Sequence, residues 1–228
     1  MAYTLITANR NYSSWSLRPW VLMRTLGIDF ADRVEPFQSE ANWEAFRAFS
    51  PTGQVPLLLD DGLAVWDSLG ITLHLAERHD GIWPEDAAAR AFARCAVAEM
   101  HGGFSALRSD CTMNVGVRVQ PKPMRAALLR DIARIRELFE EGLSRFGGPW
   151  LAGPRFSAAD AFFAPVAYRI RTYGLDVGGG QVWVDHMLAQ PAMQQWEAMA
   201  LAESWREPGH EAELADAGEI IADFRATA

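Results

Sequence analysis

A change in the spacing of apolar residues between Arg78 and Asp86 constrains the fold of this chain more than any other feature. Before it, short apolar strands alternate with helices, whereas from Ala87 onward the apolar positions recur at helical spacing. The first part opens as strand, helix, strand, which makes those strands parallel, and a later hairpin adds an antiparallel edge. The sequence therefore predicts a small α/β domain over residues 1–80, followed by an all-helical domain over residues 87–228.

Turn and cap signals indicate the elements of the first part. Gly27 is a natural stop for a helix, and Asp61-Gly62 is a two-residue turn typical of a hairpin. The predicted strands are Tyr3–Thr7, Asp32–Pro36, Leu57–Asp60 and Leu63–Trp66. The predicted helices are Ser16–Leu26, a short one containing Trp43, Phe46 and Phe49, and one that follows Asp67-Ser68.

Apolar stripes predict helices through most of the second part. The pair Gly102-Gly103 costs about 1 kcal/mol per glycine inside a helix, so we expect a kink or a close backbone approach there. Ser109–Pro123 is predicted to be a loop, because it contains two prolines and no helical stripe. The predicted helical segments are Phe92–Leu107, Leu128–Leu143, Ser157–Tyr173, Pro191–Ala202 and a final one within Glu211–Phe224.

Charge and cysteine content exclude several classes of protein. A net charge of −8 argues against a nucleic-acid partner, which selects a basic surface. Cys95 and Cys111 are not spaced like a metal-binding or redox pair, so we expect no metal and a reducing compartment. The N-terminus lacks the pattern of a signal peptide, and no apolar run is long enough to cross a bilayer. We therefore expect a cytoplasmic protein without a membrane partner.

The serine-rich turn Tyr12–Ser16 lies between the first predicted strand and the first predicted helix. Backbone N–H groups at a helix start are unpaired, and the helix dipole favours an anion there. A serine hydroxyl adds another donor, and donors aimed at a thiolate lower a thiol pKa from its free value of ~8.5. On these residues alone, however, a simple helix N-cap is the better explanation of a serine at this place.

Two further turns have the same two-sided interpretation. Gln54-Val55-Pro56 precedes a strand, and a cis bond there would turn the backbone of Val55 towards an extended peptide, whereas a trans proline would only begin the strand. At Asp67-Ser68, the Ser68 N–H and hydroxyl suit a ligand carboxylate, and the Asp67 carboxylate suits an ammonium group. The alternative is a simple helix cap.

The order and spacing of these turns resemble the cytosolic glutathione S-transferase family, most nearly its serine-type bacterial and zeta-like members. Ser-Ser-x-Ser-x-Arg at residues 13–18 and the Pro-x-Gly-x-Val-Pro-Leu turn at residues 51–57 are similar to family motifs, as is the acidic-Ser pair at 67–68. Residues 157–160 are similar to the family's Ser/Thr-x-x-Asp box, which we expect to be a capping box. The resemblance implies a thioredoxin-like domain followed by a helical-bundle domain.

The resemblance also implies a role for individual residues. Ser13 is the first candidate to donate a hydrogen bond to the glutathione thiolate, and Ser14 is its rival. The implied glutathione contacts are the backbone of Val55 beside Pro56, the pair Asp67 and Ser68 for the γ-glutamyl end, and Gln54 for the glycyl carboxylate. Because the turn carries serines and no cysteine, disulfide exchange at this place is excluded.

A second substrate is expected between the two domains. Among the residues there, His101 is a candidate acid or base, and Arg108 and Arg118 are candidates to hold an anionic substrate, with a structural or surface role as the alternative. The full set of candidates for this pocket is Trp15, His101, Phe104, Arg108, Met113, Asn114 and Arg118.

Three functions follow from the resemblance. The first is a bacterial, detoxifying transferase in which the glutathione thiolate attacks a small electrophile, and glutathione is its co-substrate. The second is a glutathione-dependent cis–trans isomerase of a maleyl-type diacid, and the third is a binding or assembly protein without turnover. The family also implies a homodimer.

Overall fold

A four-stranded sheet with helices packed on it forms the first part of the chain in the computed structural model, which describes residues 2–37 and 42–227. The strands run in the order β2-β1-β3-β4, with β1 parallel to β2 and the other pairs antiparallel. The elements are β1 Tyr3–Thr7, α1 Ser14–Thr25, β2 Ala31–Val34, α2 Asn42–Arg47, β3 Leu57–Asp60, β4 Leu63–Val65 and α3 Ser68–Ala76.

β1 is an inner strand of this sheet, and the chain passes from its C-terminal end to the start of α1. Thr4 pairs with Ala31 on one side and with Leu59 on the other, and the Leu5 and Leu58 side chains are buried beneath α1. Pro19 lies in the second turn of α1, because the helix begins two residues earlier than predicted, at Ser14. Ser14 and Ser16 are therefore helical residues, and Ser13 is the residue that precedes the helix.

Helices dominate the second part and pack against α1. Trp20 of α1 meets Trp196 edge-on, with ring centroids 5.2 Å apart, so the two parts share one continuous core. The elements are α4 Ala87–Gly102, α5 Ser105–Asp110, β5 Val117–Pro121, α6 Ala126–Phe146, α7 Ala158–Tyr173, α8 Gln181–Leu188, α9 Pro191–Ala202, α10 Pro208–Ala217 and β6 Gly218–Asp223.

The second part is not wholly helical, which corrects two predictions. The predicted loop 109–123 contains β5, and the predicted final helix over 211–224 ends at Ala217 and continues as β6, which pairs antiparallel with β5. Val117 and Val119 are buried and alternate with more exposed residues, as in a strand with one buried face. The partner strand lies about a hundred residues away in sequence, so no local signal pointed to the pairing.

The predicted single helix over 92–107 is also divided. α4 ends at Gly102, Phe104 adopts a left-handed conformation with φ 57°, and α5 begins at Ser105. A Cβ on Gly103 would lie 2.7 Å from the Glu99 carbonyl oxygen, so a side chain at this position would clash with the helix end. The predicted close approach of the backbone at Gly102-Gly103 is confirmed.

The predicted capping box at the start of α7 is confirmed. The Asp160 carboxylate accepts hydrogen bonds from the Ser157 backbone N–H (3.0 Å), the Leu151 backbone N–H (2.9 Å) and the Trp183 indole N–H (2.9 Å). Asp160 is fully buried, and burial raises its pKa to about 6, although these donors oppose that rise. One carboxylate thus joins a helix start, a turn and α8.

None of the helices in the described ranges 2–37 and 42–227 combines the length and the apolar composition that a membrane span requires.

Replacing Asp160 by Ala should lower the free energy of unfolding by about 3 kcal/mol, because several buried N–H donors lose their acceptor at once. Urea denaturation of the two proteins measures this difference. Asp185→Ala on the exposed face of α8 is the control, and its effect should stay within about 0.5 kcal/mol. Equal stability of Asp160→Ala and the original chain would show that the carboxylate is not the structural centre described above.

Candidate functional site

The loop from β1 to α1 is held in place by the far end of the helical part. The carboxylate of Glu203, just after α9, accepts hydrogen bonds from the backbone N–H groups of Arg10 (2.8 Å) and Asn11 (3.4 Å). The Trp196 indole donates to the Arg10 carbonyl at 3.0 Å, and Asn11 donates to the Ala200 carbonyl at 2.6 Å. Because these groups are buried, the loop that leads into α1 has a fixed path.

At the end of this loop, Ser13 and Ser14 line an interdomain cleft of about 850 Å³. Both residues are buried at its floor. The Ser13 hydroxyl donates to the Ser16 oxygen at 2.7 Å, and Ser16 also accepts from the Ala8 backbone N–H at 3.3 Å. Ser13 occupies the N-cap position of α1, but its side chain makes no capping hydrogen bond to the helix backbone.

The turn before β3 forms a second wall of the cleft. Gln54, Val55 and Pro56 all line it, and the Val55-Pro56 bond is cis, which is one of the two alternatives that the sequence left open. The Ser50 hydroxyl donates to the Gln54 carbonyl at 2.7 Å and fixes the turn. Gly53 has φ 67°, and a Cβ there would lie 2.8 Å from the Trp43 indole, so glycine is required where the ring packs on the backbone.

Asp67 and Ser68 differ in their relation to the cleft. Asp67 lines it and caps α3 by accepting from the Leu69 N–H (2.8 Å) and the Gly70 N–H (3.3 Å). Ser68 is fully buried behind it, and its hydroxyl oxygen has no hydrogen-bond partner within the described part of the chain. The cap explanation thus holds for Asp67, while one carboxylate oxygen still faces His101 at 3.3 Å.

The helical part supplies the third wall, though only from some of the predicted residues. Trp15, His101, Arg108 and Met113 line the cleft. Phe104, Asn114 and Arg118 do not line it, which corrects their assignment to this pocket. The Phe104 ring packs on Phe163, Asn114 is buried with its carbonyl accepting from Thr172, and Arg118 lies on Phe224.

His101 is held neutral by its surroundings. Its ring meets Trp15 edge-on at 5.3 Å. Burial lowers the pKa of His101, and the Arg18 and Arg108 guanidiniums lower it further, whereas Asp67 opposes the change. A neutral imidazole beside a carboxylate is suited to donating a hydrogen bond rather than to carrying charge near neutral pH.

Several cleft residues were not predicted from the sequence. His210 of α10 stacks between Tyr12 (4.8 Å) and Phe37 (5.1 Å), and the Tyr12 hydroxyl donates to Glu211 at 2.6 Å. Burial and this hydrogen bond raise the pKa of Tyr12, which therefore stays neutral. The unpredicted lining residues are Tyr12, Phe37, Trp43, Phe46, Thr52, Gly53, Trp66, Thr112, Arg169, His210 and Glu213. Most of them come from distant segments that no local motif connects.

The arrangement can bind a polar, extended ligand and stabilise an anion at one point on it. Serine hydroxyls at the start of a helix, where the helix dipole favours an anion, lie at the floor, a peptide-like turn lies on one side, and a carboxylate lies beyond it. Across the described residues, no three His, Cys, Asp or Glu side chains converge as they would around a metal ion. The chemistry that the cleft offers is hydrogen bonding and charge stabilisation.

Two family models match the chain. Residues 12–78 match the glutathione S-transferase N-terminal domain, and residues 86–207 match the glutathione S-transferase C-terminal domain. The two matches place the serine turn, the cis-proline turn and Asp67 in the first domain, and α4 to α9 in the second.

Individual relatives extend these matches. The chain is 28% identical to glutathione S-transferase F13 of Arabidopsis thaliana over 59% of its own length, and it spans 65% of that relative, just under two thirds. Its fold is similar to a glutathione transferase homologue from Burkholderia gl BGR1 with bound glutathione, at a TM-score of 0.65 and 21% identity, covering 88% of this chain and 98% of that one. The fold is also similar to that of Ure2p in complex with glutathione, at a TM-score of 0.64 and 21% identity, and the match covers 85% of this chain and 96% of that one. At these identities the structures show the fold: a thioredoxin-like domain followed by a helical domain.

The α10 wall of the cleft should depend on Arg225, whose guanidinium bonds both Glu211 (2.6 Å) and Asp223 (2.7 Å). Arg225→Gln should therefore speed amide hydrogen exchange across residues 208–217 by about tenfold, because lost charge-assisted hydrogen bonds lower the free energy of local opening. Arg145→Gln, which breaks an exposed pair on α6, is the control and should leave these rates unchanged. Unaltered exchange in 208–217 for Arg225→Gln would contradict the role given to this residue.

Proposed function

The chain belongs to the glutathione S-transferase family, and we propose that it is a glutathione transferase whose serine turn stabilises the thiolate of bound glutathione. The observation that carries the proposal is the meeting of Ser13, Val55 and Asp67 in one cleft, from three separate segments of the chain. These are the positions to which the family motifs give the thiolate, the cysteinyl backbone and the γ-glutamyl group. The serine-type, zeta-like subclass is part of the proposal.

Glutathione is proposed to lie along the cleft as an added extended strand. Val55 pairs with its cysteinyl backbone, and the Asp67 carboxylate holds its ammonium group. Ser68 holds the γ-glutamyl carboxylate through its backbone N–H, at the start of α3. Gln54 lies at the other end, near the glycyl carboxylate. In this assignment the N-terminal part, residues 1–80, binds glutathione, and residues 87–228 contribute the electrophile pocket.

The thiolate is proposed to be stabilised rather than deprotonated by serine, because a hydroxyl is no useful base near neutral pH. The oxygens of Ser13 and Ser16 lie 2.7 Å apart, so either hydroxyl can donate to the other. When the Ser13 hydroxyl turns to sulfur, that of Ser16 replaces the lost hydrogen bond by donating to the Ser13 oxygen. Ser14, at the first helical position, is the rival donor.

The reaction proposed is attack of this thiolate on a small electrophile bound against Trp15, His101, Arg108 and Met113. A carbon–sulfur bond forms, and a leaving group such as chloride departs with the electron pair of the bond that breaks. The cleft raises the thiolate fraction and orients the two reactants. A detoxifying role in a bacterial cytoplasm and a homodimer are parts of this proposal that sedimentation and localisation experiments test.

A maleyl-type isomerase remains the second candidate, because guanidinium groups on the helical wall suit a diacid. In that reaction glutathione adds to the double bond and leaves unchanged. Recovery of all the glutathione during turnover of a maleyl diacid would distinguish it from conjugation. The third candidate, binding without turnover, requires glutathione to bind while neither reaction occurs.

Asp67→Asn should weaken glutathione binding about tenfold, because Asn can still accept the hydrogen bonds that cap α3 but carries no charge for the ammonium group. Titration calorimetry with glutathione measures this change. Asp86→Asn, a substitution of the residue that caps α4 in the same way, is the matched control and should not change affinity. Absence of binding heat for the original chain would refute the proposed function.

Ser13→Ala should move the acid limb of the pH profile of kcat/KM about one unit to higher pH. The hydroxyl lowers the pKa of the bound thiol, activity is lost as pH falls through that pKa, and removal of the donor raises it. Conjugation of glutathione to 1-chloro-2,4-dinitrobenzene measures the profile, with Ser14→Ala alongside and Ser144→Ala on α6 as a remote control. Unchanged profiles for both Ser13→Ala and Ser14→Ala would eliminate hydroxyl-assisted activation.

A further inference from the structure

Three arginine side chains converge at the helical end of the cleft, from three different helices. Arg18 of α1 and Arg108 of α5 both lie against the Trp15 ring, with their guanidinium carbons 4.2 and 4.7 Å from its centroid. Arg169 of α7 lines the cleft together with Arg108. Arg18 is fully buried, Arg169 is 5% exposed, and Arg108 is half-buried, so solvent screens their charges poorly.

Backbone carbonyls, not carboxylates, receive the hydrogen bonds of these arginines. Arg108 donates to the carbonyls of Gly103 (3.0 Å) and Met100, and Arg169 donates to those of Cys111 (2.8 Å) and Pro165 (3.4 Å). Within residues 2–37 and 42–227, none of the three has a carboxylate oxygen within 4.0 Å. The Nε and Nη1 atoms of Arg18 are buried without a partner in the same ranges.

The three charges act on one another. Burial, together with the charge of Arg108, lowers the pKa of Arg169 to about 10. Burial likewise lowers the pKa of Arg18, to which both Arg108 and Arg169 contribute. Uncompensated buried charge is strongly destabilising, so a cluster of this kind indicates a site that an anion completes.

The acidic groups nearby do not supply that anion. Glu213 of α10 also lines the cleft, but in the part of the chain that the structure describes neither of its carboxylate oxygens lies within 4.0 Å of the three guanidiniums. Asp67 acts on Arg18 only at long range, and its oxygens serve the α3 cap and His101. Asp131 accepts from the Leu107 backbone N–H at 2.9 Å and influences Arg108 from behind the cleft wall. The helical end of the cleft therefore carries an excess of positive charge.

We propose that Arg108 and Arg169, with Arg18 behind Trp15, bind the carboxylate of an anionic electrophile, so that the second substrate is a small unsaturated or aromatic carboxylic acid. The reaction of this substrate with glutathione rests on the proposed function, whereas the binding of its carboxylate to the arginines does not. A planar guanidinium donates two parallel hydrogen bonds to a carboxylate, which fixes the orientation of the bound acid as well as its position. Trp15 and Met113 offer apolar surface for the rest of the substrate.

The carboxylate takes no part in bond making. In the test reaction the glutathione sulfur bonds to the chlorine-bearing ring carbon, chloride leaves with the bonding electrons, and the thiol proton passes to solvent. The arginines hold the ring so that this carbon faces the serine turn. The arginines therefore act as specificity-determining residues. Their effect appears as a preference for a carboxylate over a neutral substrate that undergoes the same reaction.

A matched pair of electrophiles measures that preference: 4-chloro-3,5-dinitrobenzoate, and its neutral carboxamide. After correction for their uncatalysed rates with glutathione, kcat/KM should favour the carboxylate about tenfold or more. Arg108→Gln and Arg169→Gln should each lower this ratio about tenfold. Arg171→Gln, two residues further along α7 and paired with Glu197 at 2.9 Å, should leave the ratio unchanged. Arg169→Lys, which keeps the charge, should preserve part of the preference.

Binding without turnover separates this inference from the proposed function. Calorimetry with 3,5-dinitrobenzoate, which has no leaving group, should give an affinity about tenfold above that of 3,5-dinitrobenzamide, and Arg108→Gln should remove the difference. That result supports the anion site even if neither electrophile is conjugated, an outcome that would refute transferase activity alone. Equal affinity for the two compounds overturns the inference. A decrease in kcat/KM that is the same for the charged and the neutral electrophile in the arginine variants overturns it as well. Because Arg108 is half-buried, its variant keeps the test available if Arg169→Gln fails to fold.

Discussion

The hold of Glu203 on the loop between β1 and α1 is the interaction on which the site depends. A buried carboxylate from the end of α9 accepts the backbone N–H groups of Arg10 and Asn11, and the Arg10 guanidinium extends the same network to Asp32, at 2.6 Å. Burial raises the pKa of Glu203, while these donors and the Arg10 charge favour the ionised form. Because this carboxylate comes from the helical part, the direction in which α1 begins is set by the contact between the two domains. The serine turn is therefore as much a product of the second domain as of the first.

Charge is distributed unevenly along the cleft that this contact creates. Asp67 lies at the α3 end, and the guanidiniums of Arg108 and Arg169 lie at the α5 and α7 end, with the serine turn and His101 between them. Arg18 of α1 is buried behind Trp15. Such a gradient favours an ammonium group at one end and carboxylates or a thiolate towards the other. The low exposure of Arg18 and Arg169 strengthens this effect, since a poorly hydrated charge acts over a longer distance. The charges on the cleft walls thus determine where each charged group of a substrate is favoured. The proposals for glutathione and for the second substrate both depend on this arrangement.

Local signals in the sequence were enough for most elements, whereas the resemblance to the family was needed to group Ser13, Val55 and Asp67, which line one cleft. The Asp61-Gly62 hairpin and the Ser157–Asp160 box each depend on residues within a short segment, and each is present, whereas local signals left the bond before Pro56 open between cis and trans. The β5–β6 pairing and the stacking of His210 on Tyr12 join residues about a hundred or more positions apart, so no turn or cap signal could indicate them. The same lack of local signals for distant contacts explains why the residues of the second-substrate pocket were only partly predicted. Arg118 and Asn114 follow the correct helix but do not line the cleft, whereas Arg169 reaches it from α7, where it has the appearance of an ordinary helical arginine.

We propose above all that this cleft binds glutathione as a thiolate. Titration of the ultraviolet absorbance of the thiolate in the complex with glutathione, without an electrophile, tests it most directly. The bound thiol should titrate at least one pH unit below the ~8.5 of a free thiol, because hydroxyl donors, the helix start and nearby guanidiniums all favour the anion. A bound thiol that titrates at the free value would contradict it.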